Sequence, residues 1–157
     1  MKNRKVYISG NLVPDNEAKI SIYDSAVLLG DTVTESTRTF NYKPFKFIEH
    51  VDRLYKSLKL TRIDPGMTKD EMIKVSENLL AVNKETYGDN EDCWLVHNIS
   101  RGLSITGGNP TLQVSKATIM IYTQPMILLP WAKFYKEGCH AVTPSSRVIP
   151  SQSLDPR

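Results

Sequence analysis

The sequence predicts an α+β chain: a small N-terminal domain with an antiparallel sheet and flanking helices, then a linker and the start of a second, larger domain. Three observations carry this expectation. The first half alternates β-branched and polar residues, most clearly in "TVTESTRTF" (Thr32–Phe40). Two stretches of helical periodicity follow it. After a return to strand patterning, a proline-bearing segment begins a new hydrophobic pattern with only about 27 residues left, too few for a core of their own. The boundaries read from this are residues 1–122 for the small domain, 123–130 for the linker and 131–157 for the start of the larger domain.

Taken in chain order, "KVYISGNLVP" alternates and turns at Ser9-Gly10-Asn11, a hairpin signal closed by Pro14. "AKISIYD" reads as a continuing strand, and "KPFKFI" pairs with "TVTESTRTF" across Asn41-Tyr42. In "IEHVDRLYKSLKL", Ile48, Val51, Leu54, Tyr55 and Leu58 share one helical face. "TKDEMIKVSENLLAVN" opens with Thr68 and Glu71 in capping-box spacing and offers Met72, Val75 and Leu79 to a core. "CWLVHNISRG" and "ATIMIYT" return as strands, joined through the glycine-rich turn "SITGGNP". Further on, "FYKEGCHAVTPSS" has strand character, and "RVIPSQSLDPR" reads as a turn leading into something else.

Composition narrows the function. With 40% apolar and 24% charged residues the chain is of ordinary globular type. Its 20 basic and 17 acidic residues are interleaved, which argues against nucleic-acid or membrane-surface binding and leaves a small anionic ligand open. Cys93 and Cys139 fit no metal-ligand spacing and read as free thiols in a reducing compartment. The N-terminal apolar run is broken by Ser9, Gly10 and Asn11, and no stretch approaches the roughly 20 apolar residues of a membrane span. A cytoplasmic protein is expected.

Residues that could carry chemistry are few. His50, Arg53 and Ser57, spaced i, i+3, i+7, share a helical stripe. There a guanidinium between two hydrogen-bonding groups could hold a phosphate, although a solvated polar face is the simpler reading of spacing alone. Thr34, Ser36 and Arg38 alternate onto one strand face and Val33, Glu35 and Thr37 onto the other. The first row could line a carboxylate pocket or an exposed face, and Arg101 has a similarly open reading. His97 and Trp94 read first as core. No catalytic triad or metal cluster emerges.

Together, "SIYDSAVLLGDTVTESTRTFNYKPFKFIEHVDRLYKSLKL" resembles the N-terminal signature of the class IV, fold type IV, pyridoxal-phosphate enzymes. That group contains branched-chain aminotransferases, D-amino-acid aminotransferases, (R)-selective amine transaminases and aminodeoxychorismate lyases. The matching residues are Asp24, Gly30-Asp31, Glu35, Arg38, the run Glu49-His50-x-x-Arg53-Leu54 and Ser57, with "SRGLS" and "FYKEGCHAVTPSSRVIPSQSLDPR" further on. The resemblance implies pyridoxal 5′-phosphate as cofactor, with Arg53 on its phosphate, and Thr34, Ser36, Arg38, Trp94 and Val96 on the substrate side. It places the lysine that bonds the cofactor one or two residues beyond Arg157, so that no catalytic residue lies in this chain and residues 131–157 begin the large cofactor-binding domain.

The activity implied is transamination between an amino acid, branched-chain type first, or an amine and a 2-oxo acid, by a homodimer or higher homo-oligomer. Aminodeoxychorismate lyase, D-amino-acid or (R)-amine transaminase, and a non-catalytic fragment are the alternatives. Many branched-chain enzymes have an aromatic residue where Leu29 stands, another at Thr34, and an arginine where Val96 stands.

Overall fold

In the computed structural model the alternation at Lys5–Pro14 becomes a hairpin. Strand β1 (Lys5–Ile8) pairs antiparallel with β2 (Asn11–Pro14), turned by Ser9 at φ 42° and Gly10 at φ 107°. Positive φ at both central residues matches the twist of the flanking strands. The structure describes residues 4–89, 91–104, 116–127, 129–150 and 153. It divides into two units, Met1–Met126 and Ile127–Arg157.

The first unit is α+β, as the sequence predicts. Strands β3 (Thr32–Phe40), β4 (Lys43–Pro44), β5 (Cys93–Ser100) and β6 (Thr118–Pro125) join the hairpin in a six-stranded sheet of order β2-β1-β6-β5-β3-β4, and every pairing is antiparallel. Helices α2 (Phe47–Thr61) and α3 (Lys69–Asn83) carry the apolar stripes that face it, α2 packing on β3 and α3 on β1 and β6. Val51, Leu54 and Leu58 of α2 and Met72 and Leu79 of α3 are buried with Leu95, Ile99 and Ile121 of the strands. Each such side chain contributes about 1.5–3 kcal/mol relative to leaving it in water.

Local chemistry explains the element ends. Thr68 accepts the backbone N–H of Glu71 while the Glu71 carboxylate accepts that of Thr68, so the capping box satisfies two orphan donors of α3. At the other end of α3, the buried Asn83 amide accepts the Lys5 N–H at 2.7 Å and donates to the Lys5 carbonyl and to Thr123, fixing the helix to β1 and β6. A Lys69–Asp52 ion pair joins the two helices on their exposed side.

Four local readings are corrected. Residues 18–24 form no strand, because Asp24 is committed to capping the short helix α1 (Ser25–Leu29): its carboxylate accepts the Ala26 N–H, and its own N–H donates to the Ser21 carbonyl. The alternation of Ile20, Ile22 and Tyr23 buries no face, since Ile22 and Tyr23 are exposed. The predicted strand 43–48 shortens to Lys43–Pro44, because α2 starts at Phe47 after Lys46 takes a left-handed φ of 49°. That start puts Phe47 in the core and leaves Ile48 exposed. On α3, Val75 is only partly buried, and Ser76 takes the central position beside Met72 and Leu79.

In the second unit, "FYKEGCHAVTPSS" is not a strand. Phe134–Glu137 form a helical turn, α5, after another of the same length, α4 (Leu129–Ala132), and Gly138 stops it at φ 70°. Residues 139–150 carry no strand and are exposed. The turn expected in "SITGGNP" and the lead-in "SLDPR" lie almost wholly outside the described residues.

Candidate functional site

Strand β3 organises the site because its alternation sends two chemically different rows to opposite faces. Val33, Glu35, Thr37 and Thr39 are buried on the helix side, whereas Thr34, Ser36 and Arg38 stay at least partly accessible on the other. Only Thr39 and Phe40 pair with β4, so among the described residues the backbone edge from Thr32 to Arg38 opposite β5 has no strand partner. An open edge leaves backbone donors to be satisfied by something else.

Glu35 satisfies one of them. Its carboxylate accepts the Ser36 N–H at 3.0 Å, and it also accepts Arg53 Nε at 2.6 Å, Arg53 Nη2 at 2.6 Å and the Nδ1–H of His50 at 2.8 Å. Burial pushes the Glu35 carboxyl up, but the hydrogen bonds from Arg53, His50 and Ser36 outweigh it and hold the group down at about 2. Its side chain is 5% exposed and that of Arg53 is 66% exposed. A buried carboxylate, ionised at neutral pH, thus holds a guanidinium at the surface by its Nε and Nη2 edge. Nη1 has no protein partner among the described residues. A planar guanidinium aimed by one carboxylate, with a free N–H edge in solvent, is suited to a second oxyanion, and a phosphate fits that donor set.

The i, i+3, i+7 stripe is therefore divided. His50 and Arg53 converge on Glu35, and Ser57, one turn on, contributes its carbonyl to Thr61. Sequence reasoning put Glu35 on the face away from the pocket and gave it no site role. A lone carboxylate among Val33, Thr37 and Thr39 on a core-facing row was the available signal, because a buried charge needs partners.

On the accessible face the five residues expected on the substrate side lie in adjacent rungs of the sheet. The register sets Thr34 beside Asn98, Ser36 beside Val96 and Arg38 beside Trp94. It continues onto β6, with Met120 beside Asn98, Tyr122 beside Val96 and Gln124 beside Trp94. The Arg38 guanidinium lies 3.8 Å from the centroid of the Phe40 ring, a cation–π contact that holds it along β3. Trp94 is 37% exposed and so is not the core residue first read, whereas Val96 is 6% exposed. Asn98 and Tyr122 were not singled out in the sequence.

Two further residues have structural duties. Arg101 pairs with Asp31 at 2.6 and 3.2 Å and donates to the Thr61 and Arg62 carbonyls, clamping the C-terminus of α2 to the loop before β3. His97 is buried. Its Nε2 lies 2.8 Å from Ser76 Oγ and its ring stacks on Phe47 at 6.2 Å. Burial lowers its pKa to about 4, so the ring is neutral. Cys93 and Cys139 are free thiols, the first buried and the second exposed. Among the described residues no cluster of three or more His, Cys, Asp or Glu could hold a metal ion, and no helix is long and apolar enough to cross a membrane.

Comparison with known proteins agrees with this architecture. No protein-family model matches the chain. A protein of Methanocaldococcus jannaschii, assigned by name as a branched-chain-amino-acid aminotransferase, is 35% identical over 152 residues, covering 97% of this chain and 49% of its own length. The D-alanine aminotransferase of Staphylococcus haemolyticus is 38% identical over 79 residues, covering 50% of this chain and 28% of its own. Among solved structures, the T.th. branched-chain amino acid aminotransferase with pyridoxamine 5′-phosphate superimposes with a TM-score of 0.64 at 27% identity, covering 78% of this chain and 40% of that one. This chain thus spans about half the length, or less, of the relatives it matches. In sequence and fold it is a homologue of the fold type IV branched-chain aminotransferases, corresponding to about half of such a protein.

Proposed function

We propose that this chain is the small domain and linker of a pyridoxal 5′-phosphate-dependent transaminase moving an amino group between an amino acid, of branched-chain type first, and a 2-oxo acid. The observation that carries the reading is the Arg53 guanidinium held by Glu35, which His50 helps to fix, at the open edge of β3. The 35% identity along nearly the whole chain gives that anchor its context. When bound, pyridoxal phosphate supplies the electron sink for breaking the bond from substrate Cα to its hydrogen.

This chain's residues supply position. Arg53 would offer Nη1 to the phosphate while Glu35, fixed in turn by His50, keeps the guanidinium aimed, so that less of a long side chain remains to be ordered at the moment of binding. Thr34, Ser36, Arg38, Trp94 and Val96 form the wall against which the substrate side chain is sorted. Val96 and Trp94 give that wall an apolar middle, in keeping with an aliphatic substrate. The lysine that the resemblance places beyond Arg157 would carry the proton, and a cytoplasmic homodimer or larger homo-oligomer is part of the same reading.

The relation to the Staphylococcus haemolyticus D-alanine aminotransferase favours a second reading, a D-amino-acid transaminase on the same scaffold. Cofactor titration of the full-length protein and of Arg53→Ala tests the anchor, with an expected loss of about 1.5–3 kcal/mol for hydrogen bonds to a charged group. Unchanged affinity removes the assignment. Turnover of L-leucine against D-alanine with a common 2-oxo acid separates the two substrate readings, and turnover of neither removes both.

A further inference from the structure

At one end of the sheet, the Ser9-Gly10 turn, the connection from α2 to α3 and the start of β6 line a common cavity of about 610 Å³. That is within the size of small-molecule sites. Ile63 and Ile119 are buried with the core and Met67 packs against it, so the inner wall of the cavity is apolar. Its exposed lining is basic, with Arg62, Arg101 and Lys116.

The three cations are not equivalent. Arg101 pairs with Asp31 and donates to the Thr61 and Arg62 carbonyls, so it covers the carbonyl end of α2, which would otherwise repel an anion. Arg62 and Lys116 are different: among the described residues their side-chain nitrogens have no hydrogen-bond or ion-pair partner. Arg62 also stands where glycine is the usual residue, because it ends α2 in the left-handed conformation at φ 56°. A side chain there costs backbone energy, and no described protein group repays it through the guanidinium. The acidic side chain among the described lining residues is Asp64, whose carboxylate accepts the Gly66 N–H at 2.8 Å. With Arg101 set against Asp31, two unpartnered cations face one carboxylate. The cavity keeps an excess of positive charge.

We propose that this cavity binds a small organic anion with a carboxylate head and an apolar body, the head on Arg62 and Lys116 and the body against Ile63, Met67 and Ile119. A carboxylate matches the fork of a guanidinium, and burial of the body adds the affinity that two solvent-exposed cations alone do not supply. An inorganic anion gains only the first of these. Arg62 lies nine residues along the chain from Arg53, roughly 13 Å at the rise of a helix, and the inference does not depend on the transaminase reading.

The test is calorimetric titration of the full-length protein with hexanoate, and with inorganic phosphate as a second probe, in wild type, Arg62→Gly, Lys116→Ala and Asp64→Asn. Wild type should bind hexanoate, and phosphate more weakly. Removing either cation should weaken hexanoate about fivefold, the upper end for one ion pair open to solvent. Asp64→Asn keeps an oxygen for the Gly66 N–H and removes only the opposing charge, so it should tighten hexanoate. Arg62→Gly separates binding from folding: glycine suits the left-handed φ, so the variant should melt at the wild-type temperature or above while it binds less. Absence of hexanoate binding in wild type, unchanged affinity in either Arg62→Gly or Lys116→Ala, or phosphate bound as tightly as hexanoate overturns the assignment.

Discussion

Replacing Glu35 by glutamine tests the centre of the site, because the variant keeps the size of the side chain and removes only its charge. Glutamine cannot serve Arg53 Nε, Arg53 Nη2, His50 Nδ1 and the Ser36 N–H together with one oxygen, and its amide hydrogens oppose the guanidinium. The magnitude follows from the carboxyl itself. Burial pushes it up, the hydrogen bonds from Arg53 and His50 pull it down further, and it titrates at about 2 instead of 4.5. At 1.36 kcal/mol per unit this corresponds to about 3 kcal/mol of native-state stabilisation. Arg53 is exposed, so solvent screening of that partner reduces the expected loss to about 2 kcal/mol, a melting temperature about 4–8 °C lower for a chain of this size.

The dependence on pH has a definite sign. A carboxyl with a depressed folded-state pKa contributes fully above its unfolded value of 4.5 and progressively less as the pH falls toward about 2. Urea unfolding of wild type and Glu35→Gln should therefore differ most near neutrality, with the gap closing through that acid window. The cofactor affinity of the variant should fall as well, because Arg53 loses the group that aims it. A stability gap of constant size from neutrality down to about pH 2.5, or no gap at neutrality, would show that the carboxylate does not hold the guanidinium as described.

Three further outcomes are expected. His97 is neutral and buried, so its contribution is complete above about 6.5 and declines as acid pulls protons into the unfolded state, down to a folded-state value of about 4. His97→Leu should flatten wild-type stability over that window in urea titrations, although Glu35 and His50 face the ring and Ser76 touches it; an unaltered slope would contradict a buried neutral imidazole. Arg101→Ala frees the Thr61 and Arg62 carbonyls and the Asp31 carboxylate, and should cost about 1–2 kcal/mol with cofactor affinity unchanged. Arg38→Ala should alter KM or acceptor preference more than melting temperature, since Arg38 lies on the accessible face and its described contacts are to Phe40 and the Thr39 carbonyl. A large thermal loss with unchanged kinetics would make it a structural residue instead.

What could be read in advance was what neighbouring residues settle between themselves. The Thr68–Glu71 capping box, the Ser9-Gly10 turn and the buried stripe of Val51, Leu54 and Leu58 each depend on a few adjacent positions, and each is found where the spacing puts it. The same local logic misread residues 18–24. "AKISIYD" alternates as a strand does, yet Asp24 at its end is a better helix cap than a strand residue, and one capping bond outweighs a weak alternation. Ile48 was misplaced by one position for a related reason: the helix register is set by where the turn at Lys46 releases the chain, and that puts Phe47 inward.

The site itself was legible only as far as a single element carries it. His50 and Arg53 sit one turn apart on α2, so their convergence could be read from spacing. Their common partner is 15 and 18 residues away on a different element, so it could be inferred only from the cost of leaving Glu35 buried and unpaired. The hydrogen-bonded Thr34–Asn98–Tyr122 row of the accessible face lay further out of reach. Its members are joined by the registers of β3 on β5 and of β5 on β6, and slipping either register by one residue would turn a whole strand's side chains to the other face. The core side of the same strands fixes those registers: Val33, Leu95, Ile99 and Ile121 must face the helices. The apolar pattern that buries one face therefore also aligns the polar row on the other, so that the arrangement of the accessible face depends on the packing of the core.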